Sequence, residues 1–215
     1  MKRLVLPRLY VILDQTLLTI SEAECAQKLA GAGVRLVQYR NKAASARAQL
    51  ESATRLASIL GRNGLTFIVN DRTDVAFLSG ASGVHVGQDD LGVEEARAVV
   101  GPEKLIGVST HNREQFQQAI GTSADYIAVG PIFSTSTKAK ADPVVGTDLI
   151  HEVRPLTDKP IVAIGGITLN RAAEVIKAGA DSVAVISDIL RAPDPAQRAR
   201  QFIDLLEAAN HAAAV

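Results

Sequence analysis

The sequence predicts a single (β/α)8 TIM barrel, and three observations predict it. Eight short apolar runs alternate with eight helical stretches along 215 residues, the pattern of a parallel sheet with right-handed crossovers. The bodies of the runs are almost wholly apolar, as in strands covered on both faces. Polar residues gather where the runs end, which in a barrel is the rim that carries active sites. The fold more often has ~250 residues, and an open doubly wound sheet is the alternative, although such sheets seldom need eight even units. No linker or composition shift divides the chain, so residues 1–215 are taken as one domain with 208–215 a frayed tail.

The first strand is 9–13 (LYVIL), ending at Asp14. Lys2 and Arg3 precede it, but Pro7 and Arg8 interrupt the apolar run and no small-residue cleavage site follows, so the start is a lead-in rather than a secretory leader. Ser21 with Glu24 three residues on is a capping box opening a helix to about Ala32. The second strand, 34–40 (VRLVQYR), puts Leu36, Gln38 and Arg40 on one face and Val37 and Tyr39 on the other. Residues 44–62 form a long helix closed by Asn63-Gly64. Strand three is 65–69, then Asn70-Asp71 and a short helix at 74–79. Strand four is 83–87 (GVHVG), followed by Gln88-Asp89-Asp90 and a helix at 92–100. Strand five, 105–108, ends at Ser109, with a helix at 114–120.

The stretch 125–138 (DYIAVGPIFSTSTK) then condenses the whole pattern: a buried strand stopped by Gly130-Pro131 and emptying into hydroxyls and one ammonium group. Residues 131–145 are long enough for a lid over the site. A helix follows over 146–153, then strand seven at 160–164 with Gly165-Gly166, and a helix capped by Thr168 running to about Ala178. Strand eight is 182–185, followed by Ile186-Ser187 and a final helix from about Pro195.

Composition excludes several classes. Lys+Arg and Asp+Glu number 23 each, and with few aromatics there is no electrostatic case for nucleic acid. No apolar run approaches the ~20 residues of a membrane helix. Cys25 is the only cysteine, so no internal disulfide forms, which fits a cytoplasmic location. Oligomeric state is left open.

Three groupings at the strand ends carry chemistry. Gly165-Gly166 and the segment opening at Ser187 (SDIL) fall after strands seven and eight, where barrels hold phosphate. Asp71 and Asp90, after neighbouring strands three and four, suit Mg²⁺ shared with substrate phosphates, and alternation puts Asp89 on the other face. Arg40, Lys42 and Lys138 form a cationic arc suited to a diphosphate. The four histidines show no metal-ligand spacing, and His85 reads as a packed core residue. Ser109, Ser134 and Ser187 have no evident histidine partner, which disfavours a hydrolytic triad.

The strings QYRNK (38–42), VND (69–71), GVHVGQDD (83–90), GVSTH (107–111), VGPIFSTSTK (129–138) and AIGGIT (163–168) together resemble the thiamine phosphate synthase family. The resemblance implies an Mg²⁺-dependent transferase that joins 4-amino-2-methyl-5-hydroxymethylpyrimidine diphosphate to 4-methyl-5-(2-hydroxyethyl)thiazole phosphate. Diphosphate leaves first, a pyrimidine methyl cation forms, and the thiazole nitrogen attacks it. By the same resemblance, Gln38, Arg40, Lys42, Asn70, Ser109 and Lys138 contact the pyrimidine diphosphate, with Arg40, Lys42, Ser109 and Lys138 the catalytic members. Asp71 and Asp90 hold the metal, while Thr135, Ser136, Thr137, Gly166, Ile186 and Ser187 contact the thiazole phosphate. Asn41 stands where relatives often carry an acid, outside the contact positions. A thiazole tautomerase of the same superfamily would need no diphosphate contacts, and a non-catalytic thiamine phosphate sensor would need no metal acids. Both rivals fit the residues less well.

Overall fold

The computed structural model describes residues 4–135 and 142–212, with side chains to residue 208. Eight parallel strands close into a barrel in sequence order, the last pairing with the first. They are β1 (Leu9–Asp14), β2 (Leu36–Arg40), β3 (Thr66–Asn70), β4 (Gly83–Val86), β5 (Leu105–Thr110), β6 (Tyr126–Val129), β7 (Ile161–Ile164) and β8 (Ser182–Val185). Around them pack α1 (Glu22–Gly31), α2 (Ala46–Arg62), α3 (Thr73–Leu78), α4 (Val93–Val100) and α5 (Arg113–Ile120). The ring is completed by α6 (Asp148–Val153), α7 (Leu169–Lys177), the four-residue α8 (Ser187–Leu190) and α9 (Pro195–Ala212). No helix of the described residues is long and apolar enough to cross a membrane.

Period-two alternation splits each strand between two cores. Val11, Val37, Phe67 and Val183 face the helices and belong to the large outer core. Tyr10, Ile12, Leu36, Ile68, Tyr126, Ala128, Val162 and Ala184 fill the barrel interior. In chain order β1, β3 and β5 each run one or two residues past the apolar stretch, so Asp14, Asn70 and Ser109 are strand residues. The pleat fixes the direction of each.

Helix starts follow the caps. Ser21 accepts from Glu24 N (3.2 Å) and Ser45 from Ala48 N (3.3 Å), so α2 begins at Ala46 rather than 44. Thr168 occupies the N-cap position before α7 but makes no side-chain cap bond; Asp188 Oδ2 accepts from Leu169 N instead (3.1 Å), which ties α8 to α7. The expected lid segment 131–145 has its centre, 136–141, outside the described residues. Its start is pinned to the end of β7: Ile132 N donates to Ile164 O (2.9 Å) and Phe133 N to Gly165 O (3.0 Å).

One glycine is dictated by the interior. Gly107 on β5 pairs with Tyr126 on β6, and a Cβ there would lie 2.0 Å from the Tyr126 ring. Tyr126 is wholly buried and has nowhere to go. Gly107→Ala is expected to lower stability by about 3 kcal/mol, read as a fall of several degrees in the thermal midpoint; an unchanged midpoint would mean that the interior yields.

Candidate active site

The C-terminal rim of the barrel opens into a cavity of about 450 Å³. Its floor is apolar: Ile12, Ala128, Val162, Ile164 and Ala184 line it. The two alanines are smaller than the Leu, Ile, Val and Tyr at the other apolar interior positions and leave room for flat rings. The polar strand tips stand above this floor.

On β2, Gln38 and Arg40 point inward as alternation requires, and both line the cavity. Arg40 Nη1 bonds Asp14 Oδ2, its register partner on β1. The Asp14 side chain is 1% exposed and that of Arg40 19%, so Arg40 has one edge in the protein and its remaining N–H groups toward the opening. Asp14 also caps the turn after β1, accepting from Thr16 N (3.0 Å) and Thr16 Oγ1 (2.6 Å).

Asn70 ends β3, and Asp71 follows with φ +61°, a left-handed backbone that Asp tolerates better than most residues. Asp71 N bonds His85 O (2.8 Å), which extends the ladder and carries the carboxyl over the cavity. Lys42 Nζ lies 2.9 Å from Asp71 Oδ2 with its side chain 56% exposed. Asp90 Oδ2 accepts from Gly87 N (2.8 Å). Burial pushes the Asp90 carboxyl above its usual range; the Gly87 bond opposes this, and the adjacent Asp71 carboxyl adds to it. The two acids therefore approach each other closely enough to repel. Asp89 also lines the cavity. The expectation that alternation turns it away fails because β4 stops at Val86, and the strand period does not extend into the loop.

Asp71 and Asp90 fit Mg²⁺. Among the described residues no group of three or more His, Cys, Asp or Glu converges as a metal site. Two carboxylates are what Mg²⁺ takes from protein when substrate phosphates and water supply its other ligands.

Ser109 lines the cavity from β5, and it has a histidine partner after all: its Oγ lies 2.9 Å from His85 Nε2. The expectation of no such partner fails because β4 and β5 are adjacent and in register, with both side chains inward. His85 is buried, as expected, yet it is not a mere packing residue, since its Nδ1 lies 3.1 Å from the Tyr126 hydroxyl. Burial lowers its pKa to about 4, partly offset by the Asp90 charge, so the imidazole is neutral at pH 7. A phenol in place of a carboxylate behind the imidazole does not make a triad. Tyr10 and Tyr126 went unmarked in the sequence as functional positions. A buried phenol demands a partner for its hydroxyl, and Tyr10 shares its strand face with Ile12 and Asp14. His111, the last residue of the GVSTH string, is a further cavity residue, one to which the sequence reading assigns no contact; its Nδ1 bonds Gly130 O (2.5 Å).

The phosphate side is divided. Thr135, Gly165 and Ile186 line the cavity; Gly166 and Ser187, both half-buried, follow Gly165 and Ile186 directly but are not among the lining residues. The Gly165-Gly166 pair has φ +101° and +63°. A Cβ at Gly166 would lie 2.4 Å from Ser134 O, so the glycine also lets the loop after β6 pack against it. Ser187 opens α8, whose four residues give only a weak helix dipole. Ser136, Thr137 and Lys138 lie outside the described residues.

The profile of the family described as thiamine monophosphate synthase matches residues 9–189. The chain is 51% identical over 208 residues to the thiamine-phosphate synthase of Koribacter versatilis, covering 94% of this chain and 96% of that one. It is 45% identical to the thiamine-phosphate synthase of Chloroflexus aurantiacus, with 91% and 90% covered. Among solved structures it is similar to the thiamine phosphate pyrophosphorylase of Pyrococcus furiosus, with a TM-score of 0.86 and 32% identity over 94% of this chain and 96% of that one.

Proposed function

The chain belongs to the thiamine monophosphate synthase family, and from that premise we propose how its own residues carry out the family's reaction. It is a transferase that joins the pyrimidine diphosphate to the thiazole phosphate, giving thiamine monophosphate and diphosphate. One observation supports the residue assignment most: cationic, acidic and amide tips from β2, β3, β4 and β5 line a single cavity above an apolar floor.

In this reading Arg40 and Lys42, with Ser109 and Asn70, bind the diphosphate, and Lys138 joins them by family resemblance. Their charges stabilise the negative charge that grows on the leaving group as the carbon–oxygen bond breaks. Asp71 and Asp90 would hold Mg²⁺, which when bound neutralises diphosphate oxygens. Gln38 contacts the pyrimidine. Thr135, Ser136, Thr137, Gly166, Ile186 and Ser187 hold the thiazole phosphate, so that the ring nitrogen faces the methylene carbon. The nitrogen lone pair then forms the new bond. That nitrogen carries no proton, so no general base is required, and the neutral His85 is not asked to be one. The floor of Ile12, Val162 and Ile164 keeps water from the pyrimidine cation, whose charge the ring amino group shares. A reducing cytoplasm suits an enzyme whose one cysteine, Cys25, is buried and free.

The deciding experiment incubates the full chain with both phosphorylated heterocycles and Mg²⁺. Thiamine monophosphate is expected, and a chelator is expected to abolish it. No product would remove the reading; product undiminished by chelator would remove the metal from it.

A further inference from the structure

The reaction as assigned uses Gln38 and Ser109 but not what lies between them. Five side chains from five strands make a hydrogen-bonded line across the barrel interior. Gln38 Nε2 donates to the Tyr10 hydroxyl (2.8 Å), and the Tyr10 and Tyr126 hydroxyls are 3.1 Å apart. The Tyr126 hydroxyl is 3.1 Å from His85 Nδ1, and His85 Nε2 is 2.9 Å from Ser109 Oγ. Tyr10, Tyr126, Gln38 and His85 are all buried.

Such a line has a sense, because each member has few protons to give. Gln38 Nε2 carries only protons, so it donates. Tyr10 accepts, and the partner left for its own proton is Tyr126. Tyr126 then gives its proton to His85 Nδ1. The imidazole proton must sit on Nε2, where it goes to Ser109 Oγ. Ser109 is left with its hydroxyl proton for the cavity, and Gln38 is left with Oε1. The opposite sense from Tyr126 onward would strand one phenol proton, that of Tyr10 or that of Tyr126, in the interior, which is costly; among the described residues no buried side-chain nitrogen or oxygen lacks a partner. Both phenols keep their protons, since burial raises Tyr10 and Tyr126 well above the usual phenol range. The only wholesale reversal turns the Gln38 amide over and changes both ends together.

We propose that Tyr10, Tyr126 and His85 are positioning residues that fix this sense, making Ser109 a donor and Gln38 an acceptor toward the pyrimidine diphosphate. The proposal rests on the preceding assignment of Gln38 and Ser109 to that substrate. The chemistry matches: diphosphate oxygens only accept, and the ring amino group donates. An interior wire thus presents complementary groups to the two ends of one substrate, while the thiazole side of the cavity is untouched.

Nitrogen-15 NMR of the histidine-labelled full chain, without substrate, reads the tautomer directly; the His85 signals are those lost in His85→Gln. A proton on Nε2 is expected, and a proton on Nδ1 would overturn the proposal. Tyr126→Phe keeps the ring and removes one link. It is expected to lower kcat/KM for the pyrimidine diphosphate by about tenfold or more, with the KM for thiazole phosphate changed by less than about twofold. No loss, or a loss shared by both substrates, would sink it. Tyr10→Phe serves the same purpose if the first variant does not fold. Gln can place an N–H where the Nε2–H stood and Asn cannot, so His85→Gln should retain more activity than His85→Asn; equal activity of the two would contradict the wire. If the wild-type chain made no thiamine monophosphate, the function would fall while the tautomer measurement still judged the wire.

Discussion

Arg40→Ala is expected to lower the thermal midpoint by about 10 °C and turnover by about 10²-fold. The two losses have different causes. The Asp14 side chain is 1% exposed and its strongest neighbour is the Arg40 guanidinium. Removing one partner of a buried ion pair leaves an uncompensated charge, at a cost of about 3–5 kcal/mol. The turnover loss comes from the other edge of the guanidinium, which lines the cavity where the diphosphate departs. A double variant, Asp14→Leu with Arg40→Met, separates them: it removes the uncompensated charge and should restore part of the stability, less the two Thr16 hydrogen bonds to Asp14, and none of the turnover. Thermal melts and a steady-state assay decide it. Near-normal turnover in Arg40→Ala would remove Arg40 from the diphosphate.

Asp90→Asn is expected to cut turnover by about 10²-fold or more while raising the thermal midpoint of the metal-free protein. Burial, reinforced by the Asp71 carboxyl, raises the pKa of Asp90. A carboxyl raised in the folded state destabilises that state wherever it is ionised. The penalty is present in full above the folded value and fades as the pH falls through it. An amide carries no charge, so the variant escapes it. Mg²⁺ offers a second readout, because a ligand of the folded state stabilises it by mass action. Added Mg²⁺ should raise the midpoint of the wild-type chain and leave that of the variant still. A variant that responds to Mg²⁺ as the wild type does would take Asp90 out of the metal site.

Much of this site was legible residue by residue. QYRNK places Gln38 and Arg40 inward by simple alternation, and the structure keeps them there. Asp71 and Asp90 were legible as a pair because they follow consecutive strands. Asp89 was misread because a two-residue period was extended past Val86, where the strand ends. His85 was half read: a histidine inside an apolar strand is correctly buried, but its value lies in Ser109 and Tyr126, which stand 24 and 41 residues away. Thr168 has the right type and position for a cap, yet Asp188 supplies the oxygen near Leu169 N.

The sequence alone determined the eight alternating units, the inward and outward faces of each strand, and which residue types crown the rim. Those follow from local periods of two and 3.6 residues and from chain order. Only the tertiary structure decided which crowned residues meet. Tyr10 and Tyr126 are 116 residues apart and come from strands that are not neighbours in the sheet. They touch because closing eight twisted strands into a ring turns one face of every strand toward a common axis. A linear pattern specifies the face of a side chain, but contact across the axis requires the ring to be closed.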